Sequence, residues 1–179
     1  MATFGDSYCG IYCGACSILV HSRTGRSDRF IDCCPKLPEG ELACGGCKSD
    51  TVYTACRGCP LRNCSVGKGI EHCVDCTDYP CKDYKAWSSA SRLLSHIKEA
   101  PGSLEAIKRG GTDGWAEAQI KRWSCSDCGT PFSWYAKVCS KCGRSLSAQA
   151  HALSGLKKLV CRIVLPLAYK RAKRKISGG

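Results

Sequence analysis

The chain has 179 residues, 44% of them apolar when its 18 cysteines are counted, and a formal charge of +12. No apolar run reaches the ~20 residues that cross a bilayer. With three Phe and one Met, the other apolar residues are too few to hold small lobes together without cross-links. The segment after Asp127 has eleven Lys and Arg and no acidic residue, so it supplies +11 of the total.

Cysteine spacing sets the class. Six Cys-x-x-Cys pairs occur, at Cys13/Cys16, Cys44/Cys47, Cys56/Cys59, Cys73/Cys76, Cys125/Cys128 and Cys139/Cys142. Random placement would give roughly two. Two thiolates three residues apart on a tight turn converge on one metal. Disulfides are the rival cross-link, but the opening Met-Ala-Thr-Phe-Gly-Asp-Ser-Tyr-Cys has neither the basic start nor the apolar stretch of a secretory leader. A cytoplasmic location is expected, where thiols stay reduced and bind metals. The fold expected is a small metal-stabilised α+β protein in four parts.

Residues 1–82 hold thirteen cysteines among turn-forming Gly, Pro, Asp and Asn, and predict an irregular cysteine-knuckle domain of loops and short helices. Its candidate metal ligands are Cys9, Cys13, Cys16, Cys44, Cys47, Cys56, Cys59, Cys64, Cys73, Cys76 and Cys81. Thirteen thiols fill three four-ligand sites with one left over. Either Cys33 or Cys34 is the natural spare, because adjacent residues rarely both reach one metal. His21 and His72 are weaker candidates. Spacing does not assign ligands to sites, and it leaves zinc and an iron–sulfur cluster both open. Cys9-x3-Cys13-x2-Cys16 also matches the cluster loop of radical S-adenosylmethionine enzymes. That chemistry needs a barrel behind the loop, and no series of βα units follows here.

Residues 83–123 lack cysteine and predict a helical connector. Tyr84, Trp87, Ala90, Leu94 and Ile97 recur at helical spacing up to Pro101-Gly102, which is expected to stop the run. A second helix fits Ser103 to Arg109 before Gly110-Gly111. A third starts near Asp113 as its cap and presents Trp115, Ala118 or Gln119, and Arg122 along one face. The tryptophans are assigned to core packing.

Residues 124–146 carry the most specific motif, two Cys-x-x-Cys-Gly knuckles ten residues apart. Gly129 and Gly143 follow the knuckles, where the chain must turn with positive φ and aim N–H groups at sulfur. Cys125, Cys128, Cys139 and Cys142 predict a rubredoxin-like zinc ribbon, tetrahedral and closed to substrate. Cys125→Ser is expected to unfold this segment while sparing the N-terminal block.

Residues 147–179 predict a basic amphipathic helix. Leu153, Leu156, Val160, Ile163 and Leu167 share one face, and Pro166 is expected to kink it. Lys157, Lys158, Arg162, Lys170, Arg171, Lys173, Arg174 and Lys175 are candidate contacts for an anionic partner. Three readings compete: the stripe docks on the rest of the protein, the helix lies on an anionic membrane surface, or its cluster contacts nucleic-acid phosphates. Only Tyr169 interleaves the basic run, which weakens base stacking. Cys161 stands on this helix away from any partner cysteine, as a small apolar residue.

The run Cys59-Pro-Leu-Arg-Asn-Cys64, Lys68-Gly69-Ile70-Glu71-His72-Cys73-Val74-Asp75-Cys76 and Asp78-Tyr79-Pro80-Cys81 resembles an uncharacterised prokaryotic cysteine-rich family, domain of unknown function 3795. Tyr8-Cys9-Gly10, Cys13-Gly14-Ala15-Cys16 and Cys44-Gly45-Gly46-Cys47 carry the same resemblance. The closing signature has four residues, Thr77-Asp78-Tyr79-Pro80, before Cys81. Some members continue into a ribbon beginning Arg122-Trp123-Ser124-Cys125, so the resemblance spans roughly residues 8 to 144. It implies that Cys33, Cys34 and Cys56 are extras. It implies no activity, and its anaerobe-rich prokaryotic setting raises the iron–sulfur option.

Nothing pairs a nucleophile with a positioned base, the zinc-deaminase signature is absent after Pro80-Cys81, and no Walker-type loop appears. No small-molecule substrate is implied. The expected function is a non-enzymatic multi-zinc interaction module, its tail contacting an unknown protein or nucleic acid. An iron–sulfur protein for electron transfer or redox sensing is the alternative, and a membrane-surface adaptor the third.

Overall fold

A computed structural model of the chain describes residues 4–34 and 40–177. Its helices are α1 (Ser17–Thr24), α2 (Thr54–Arg57), α3 (Pro60–Lys68), α4 (Lys82–Ser88), α5 (Ala100–Gly110), α6 (Thr112–Arg122) and α7 (Gly155–Ser177), with short 3₁₀ turns between them. The fold is mostly helical. The β part expected of an α+β protein is reduced, among the described residues, to two isolated antiparallel bridges, Ser124–Pro131 and Val138–Ser145. Each bridge flanks one knuckle, whose turn consumes the residues between, so no ladder has room to grow.

Local chemistry explains the helix ends. Pro60 starts α3, where its missing N–H has no partner to lose, and Gly69 stops it at φ 62°. The connector differs from expectation. The run from Tyr84 breaks after Ser88 into 3₁₀ turns at Ser89–Arg92 and Ser95–Glu99. Pro101, expected to end a helix, instead stands in the first turn of α5. Proline is well tolerated there, so the same residue that forbids continuation permits initiation. Gly111, at φ 80°, separates α5 from α6 and caps α6 in place of Asp113.

One hydrophobic cluster joins distant parts of the chain. Tyr12 and Ala15 from the cysteine-rich segment meet Ile107, Trp115, Ala116 and Trp123 of the connector, Phe132, Trp134, Tyr135 and Leu146 of the ribbon segment, and Leu153 and Cys161 near the C-terminus. Of the connector tryptophans assigned to packing, Trp115 and Trp123 are buried in this core, while Trp87 is half-buried against a second cluster with Tyr84 and Leu104; Trp134 of the ribbon segment is also buried. His96 stacks on Trp134 at 3.9 Å, and its Nδ1 lies 2.8 Å from the Tyr135 hydroxyl. Burial, with the charge of His151 adding, holds the His96 pKa down to about 3, so it packs as a neutral ring. Asp28 ties the segments further: it accepts hydrogen bonds from Ser17 and Ser133 and from the N–H groups of Phe30 and Ile31.

Gly10 shows how closely the Cys9 loop presses on α5. Its φ is +85°, and a Cβ there would lie 2.5 Å from the Ala100 carbonyl oxygen. No other residue fits that contact.

Candidate metal centres

The ribbon thiols are gathered as one tetrad. Cys125 and Cys142 lie 3.7 Å apart and Cys128 and Cys139 3.5 Å apart. A tetrahedral ion with metal–sulfur bonds of about 2.3 Å requires sulfurs about 3.8 Å from one another. Gly129 and Gly143 have φ of 68° and 74°, as the knuckle motif demands. The Thr130 hydroxyl and N–H groups hold the Cys128 thiol down to about 6, which prepares it to bind as thiolate. This four-cysteine group can hold one metal ion. Among the described residues it is the one group of three or more such side chains whose ligand atoms all lie within 4.8 Å of one another.

The N-terminal cysteines are arranged differently. Cys9, Cys13, Cys16, Cys34, Cys44, Cys47, Cys56 and Cys59 line a single cavity of about 260 Å³. Its other walls are largely apolar, with Ile18, Leu19, Val52, Tyr53 and Trp87 on one part and Leu165, Ala168 and Tyr169 of α7 on another. The C-terminal helix thus roofs a chamber built by the N-terminal loops. Burial pushes the Cys13 thiol well up, with Cys47 adding to it. Burial also pushes Cys16 up to about 12, although the N–H groups of Leu19 and Ile18 at the start of α1 partly offset it. Thiols crowded in an apolar chamber ionise only when a cation joins them. Soft thiolate donors select zinc, copper(I) and iron–sulfur clusters.

A separate group comprises Cys64, Cys73, Cys76 and Cys81 around a narrow cavity of about 30 Å³. Lys68 reaches into it, 3.3 Å from the Cys76 sulfur and 2.9 Å from Asp78. His72 is no ligand here. Its Nε2 lies 2.9 Å from Asp6, while Asp6 also accepts from Lys48 at 2.7 Å, and all three side chains are buried. His21 contacts the Arg26 carbonyl at the surface.

Two cysteines behave otherwise than expected. Cys34 lines the large cavity, whereas the spacing left it as a candidate spare. Its neighbour Cys33 is the spare: it packs in the core, with its thiol 3.2 Å from the Arg29 carbonyl. The Cys33-Cys34 doublet was the available signal, because consecutive side chains leaving a 3₁₀ turn must diverge. Cys161 is not isolated, since it is buried in the same hydrophobic cluster as Cys33.

The tail corrects the docking reading. Leu153 is buried just ahead of α7, but Leu156, Ile163 and Leu167 are 75%, 59% and 52% exposed, and Leu159, Val160 and Val164 accompany them. Helix α7 docks instead by the opposite face, through Cys161, Leu165, Ala168 and Tyr169. Tyr169 stacks on Tyr53, and a Cβ on Gly58 would meet Ala172 at 3.6 Å. Small residues let that face approach closely, and the bulky stripe is left outside. Pro166 lies inside the continuous helix. Lys158 pairs with Asp32 and Lys173 with Glu41, at 2.9 Å and 2.7 Å. Arg162, Lys170, Arg171 and Arg174 are exposed, Lys157 is half-buried, and the Lys175 side chain lies outside the described residues.

The fold and these centres define a helical, cysteine-rich protein with a four-thiol site able to hold a metal. Residues 6–86 match the family described as "Protein of unknown function (DUF3795)". The ribbon and tail lie beyond the matched stretch. No curated protein and no solved structure matches the chain.

Proposed function

We propose that the chain is a cytoplasmic, non-enzymatic iron–sulfur protein that carries electrons, with a structural zinc ion in the ribbon. The carrying observation is the contrast between its thiol groups. The ribbon tetrad is drawn together to single-ion distances, whereas eight N-terminal thiols stand around a chamber of about 260 Å³. A cluster of several irons and sulfides occupies the space that separates such thiols; one ion does not. This moves the iron–sulfur alternative ahead of the multi-zinc module. A bound cluster supplies one-electron chemistry. The protein's own part is to hold it by thiolates and, with Ile18, Leu19, Val52 and the roof residues of α7, to limit water.

Protein purified without oxygen is expected to contain about one zinc per chain, together with iron, acid-labile sulfide and absorbance near about 400 nm. Zinc alone, near four per chain by four-thiolate stoichiometry, would return the multi-zinc interaction module to first place.

A second observation bears on partners. The exposed stripe of Leu156, Leu159, Ile163 and Leu167 is flanked by Arg162, Lys170, Arg171 and Arg174. Phosphate contact with nucleic acid gives no use for exposed leucine and isoleucine, whereas an anionic lipid surface takes both the apolar and the basic side chains. No helix among the described residues is long and apolar enough to cross a membrane, so α7 would lie along the surface. The protein should co-sediment with phosphatidylserine vesicles and not with phosphatidylcholine ones, and Ile163→Ser with Leu167→Ser should lower that binding at least several-fold. Undiminished binding by the variant would refute surface insertion. Binding to RNA or DNA with a steep salt slope, and none to vesicles, would favour the nucleic-acid reading.

A further inference from the structure

Among the described residues, one buried hydroxyl has no hydrogen-bond partner, that of Tyr169. The side chain is 5% exposed and its oxygen is closed off from solvent. Other buried tyrosines are paired: the Tyr84 hydroxyl donates to the Cys9 carbonyl, and the Tyr135 hydroxyl lies 2.8 Å from His96 Nδ1. A buried phenol ordinarily finds such a partner, and one that does not calls for an explanation.

Its place in the fold supplies one. Tyr169 belongs to the α7 roof of the eight-thiol chamber. It is buried with Ile18 and Tyr53 in one apolar cluster, and Cys16, Cys34 and Cys44 pack against that cluster. Leu165 and Ala168, the other residues that α7 gives to the chamber wall, have no polar side-chain atom. Phenylalanine would roof the chamber equally well, since its ring would keep the stack on Tyr53. The hydroxyl therefore has a separate use. Elsewhere on the wall, Ser7 already donates to the Ile11 carbonyl, and His96 Nδ1 faces Tyr135. What the wall offers in quantity is sulfur, on eight cysteines. A neutral thiol accepts hydrogen bonds weakly, whereas a metal-bound thiolate or a sulfide carries negative charge and accepts strongly. Thiols alone leave the hydroxyl without a partner; metal-bound sulfur supplies one.

We propose that Tyr169 is a positioning residue of the chamber's metal centre, donating its O–H to a sulfur that the bound metal keeps anionic. This rests on the iron–sulfur reading of the chamber given above and deepens it. The proton stays on the phenol oxygen, so no covalent bond forms or breaks. Hydrogen bonds to sulfur are among the controls on cluster potential. This one favours the reduced state, which carries the more negative charge, and so raises the potential. Outer-shell donors of this kind also fix the orientation of the ligands they touch. Helix α7 is thereby part of the centre's chemistry as well as its cover.

The test compares wild type with Tyr169→Phe, both as the full chain purified without oxygen, by iron and sulfide content and by redox titration. The variant should keep its iron and sulfide. At the wild-type midpoint potential it should be about tenfold more oxidised, a fall of about 59 mV for a one-electron couple. Loss of packing alone would change iron content or melting temperature and leave the potential of the loaded protein in place. An iron-bearing variant with an unchanged or raised potential overturns the proposal and leaves the iron–sulfur reading standing. An iron-free wild type overturns both. Should Tyr169→Phe fail to hold iron, Tyr169→His decides, because it restores a donor on a ring of poorer fit. Iron retained by the histidine variant supports the donor role, and iron lost from both assigns Tyr169 to packing and refutes it.

Discussion

Replacement of Cys139 by serine is expected to abolish metal binding at the ribbon and to loosen the tertiary structure well beyond residues 124–146. The thiol is buried and belongs to the same cluster as Phe132, Trp134, Tyr135 and Leu146. Those residues in turn cover Tyr12 and Ala15, and the Trp134 N–H bonds the Ala15 carbonyl at 2.9 Å. Structural zinc in finger peptides binds with roughly 10–16 kcal/mol of apparent free energy, comparable with or larger than the whole stability of a typical domain, about 5–15 kcal/mol. Loss of the ion therefore should not stay local. The expected result is simultaneous loss of near-ultraviolet dichroism and tryptophan burial, since Trp115, Trp123 and Trp134 all report on this core. Two separate thermal transitions, with the N-terminal metal retained, would show that the ribbon melts alone, as its compact motif predicts from sequence.

Asp6→Ala should produce the second large effect. The Asp6 side chain is 3% exposed and holds both Lys48 and His72. Lys48 follows Cys47 and His72 precedes Cys73, so this carboxylate joins three cysteine-bearing loops. Removal of one member of a buried ionic group leaves the others unpaired and costs about 3–5 kcal/mol. For a chain of this size that corresponds to a fall in melting temperature of roughly 6–20 °C. Burial alone would raise the Asp6 pKa, but hydrogen bonds from His72 and Lys48 outweigh it and hold the carboxyl below its usual value. A depressed carboxylate contributes stability that is present above its unfolded pKa near about 3.9 and disappears as pH falls through the folded value. Asp6→Ala should accordingly be less sensitive than wild type to acid below about pH 4. A melting temperature within about 2 °C of wild type would mean that the loops are held by their metals alone.

Much of the metal chemistry was legible in the residues, because a Cys-x-x-Cys-Gly knuckle specifies its own geometry within a few residues. Gly129 and Gly143 adopt the predicted backbone for that reason. Which N-terminal thiols line the chamber was not legible. It depends on which loops face one another across the chamber, and nothing local to Cys34 or Cys56 distinguishes a ligand from a spare. The connector failed at Pro101 for a related reason, since proline is compatible with either side of a helix boundary and packing against Cys9 and Gly10 decides between them. The tail failed on a tertiary choice between two faces. Its bulky stripe reads as the stronger core candidate, yet close approach to α2 and the Ile31–Cys33 turn favours the face with Cys161, Ala168 and Ala172.

The roof over the thiol chamber has a consequence for biogenesis. Leu165, Ala168 and Tyr169 close a space whose ligands end at Cys59, so on the ribosome the ligands emerge roughly a hundred residues before the helix that covers them. During that interval the nascent chamber is uncapped, and its sulfurs are open to solvent. Any cofactor of this chamber would meet its thiols before the helix that partly covers them has been made.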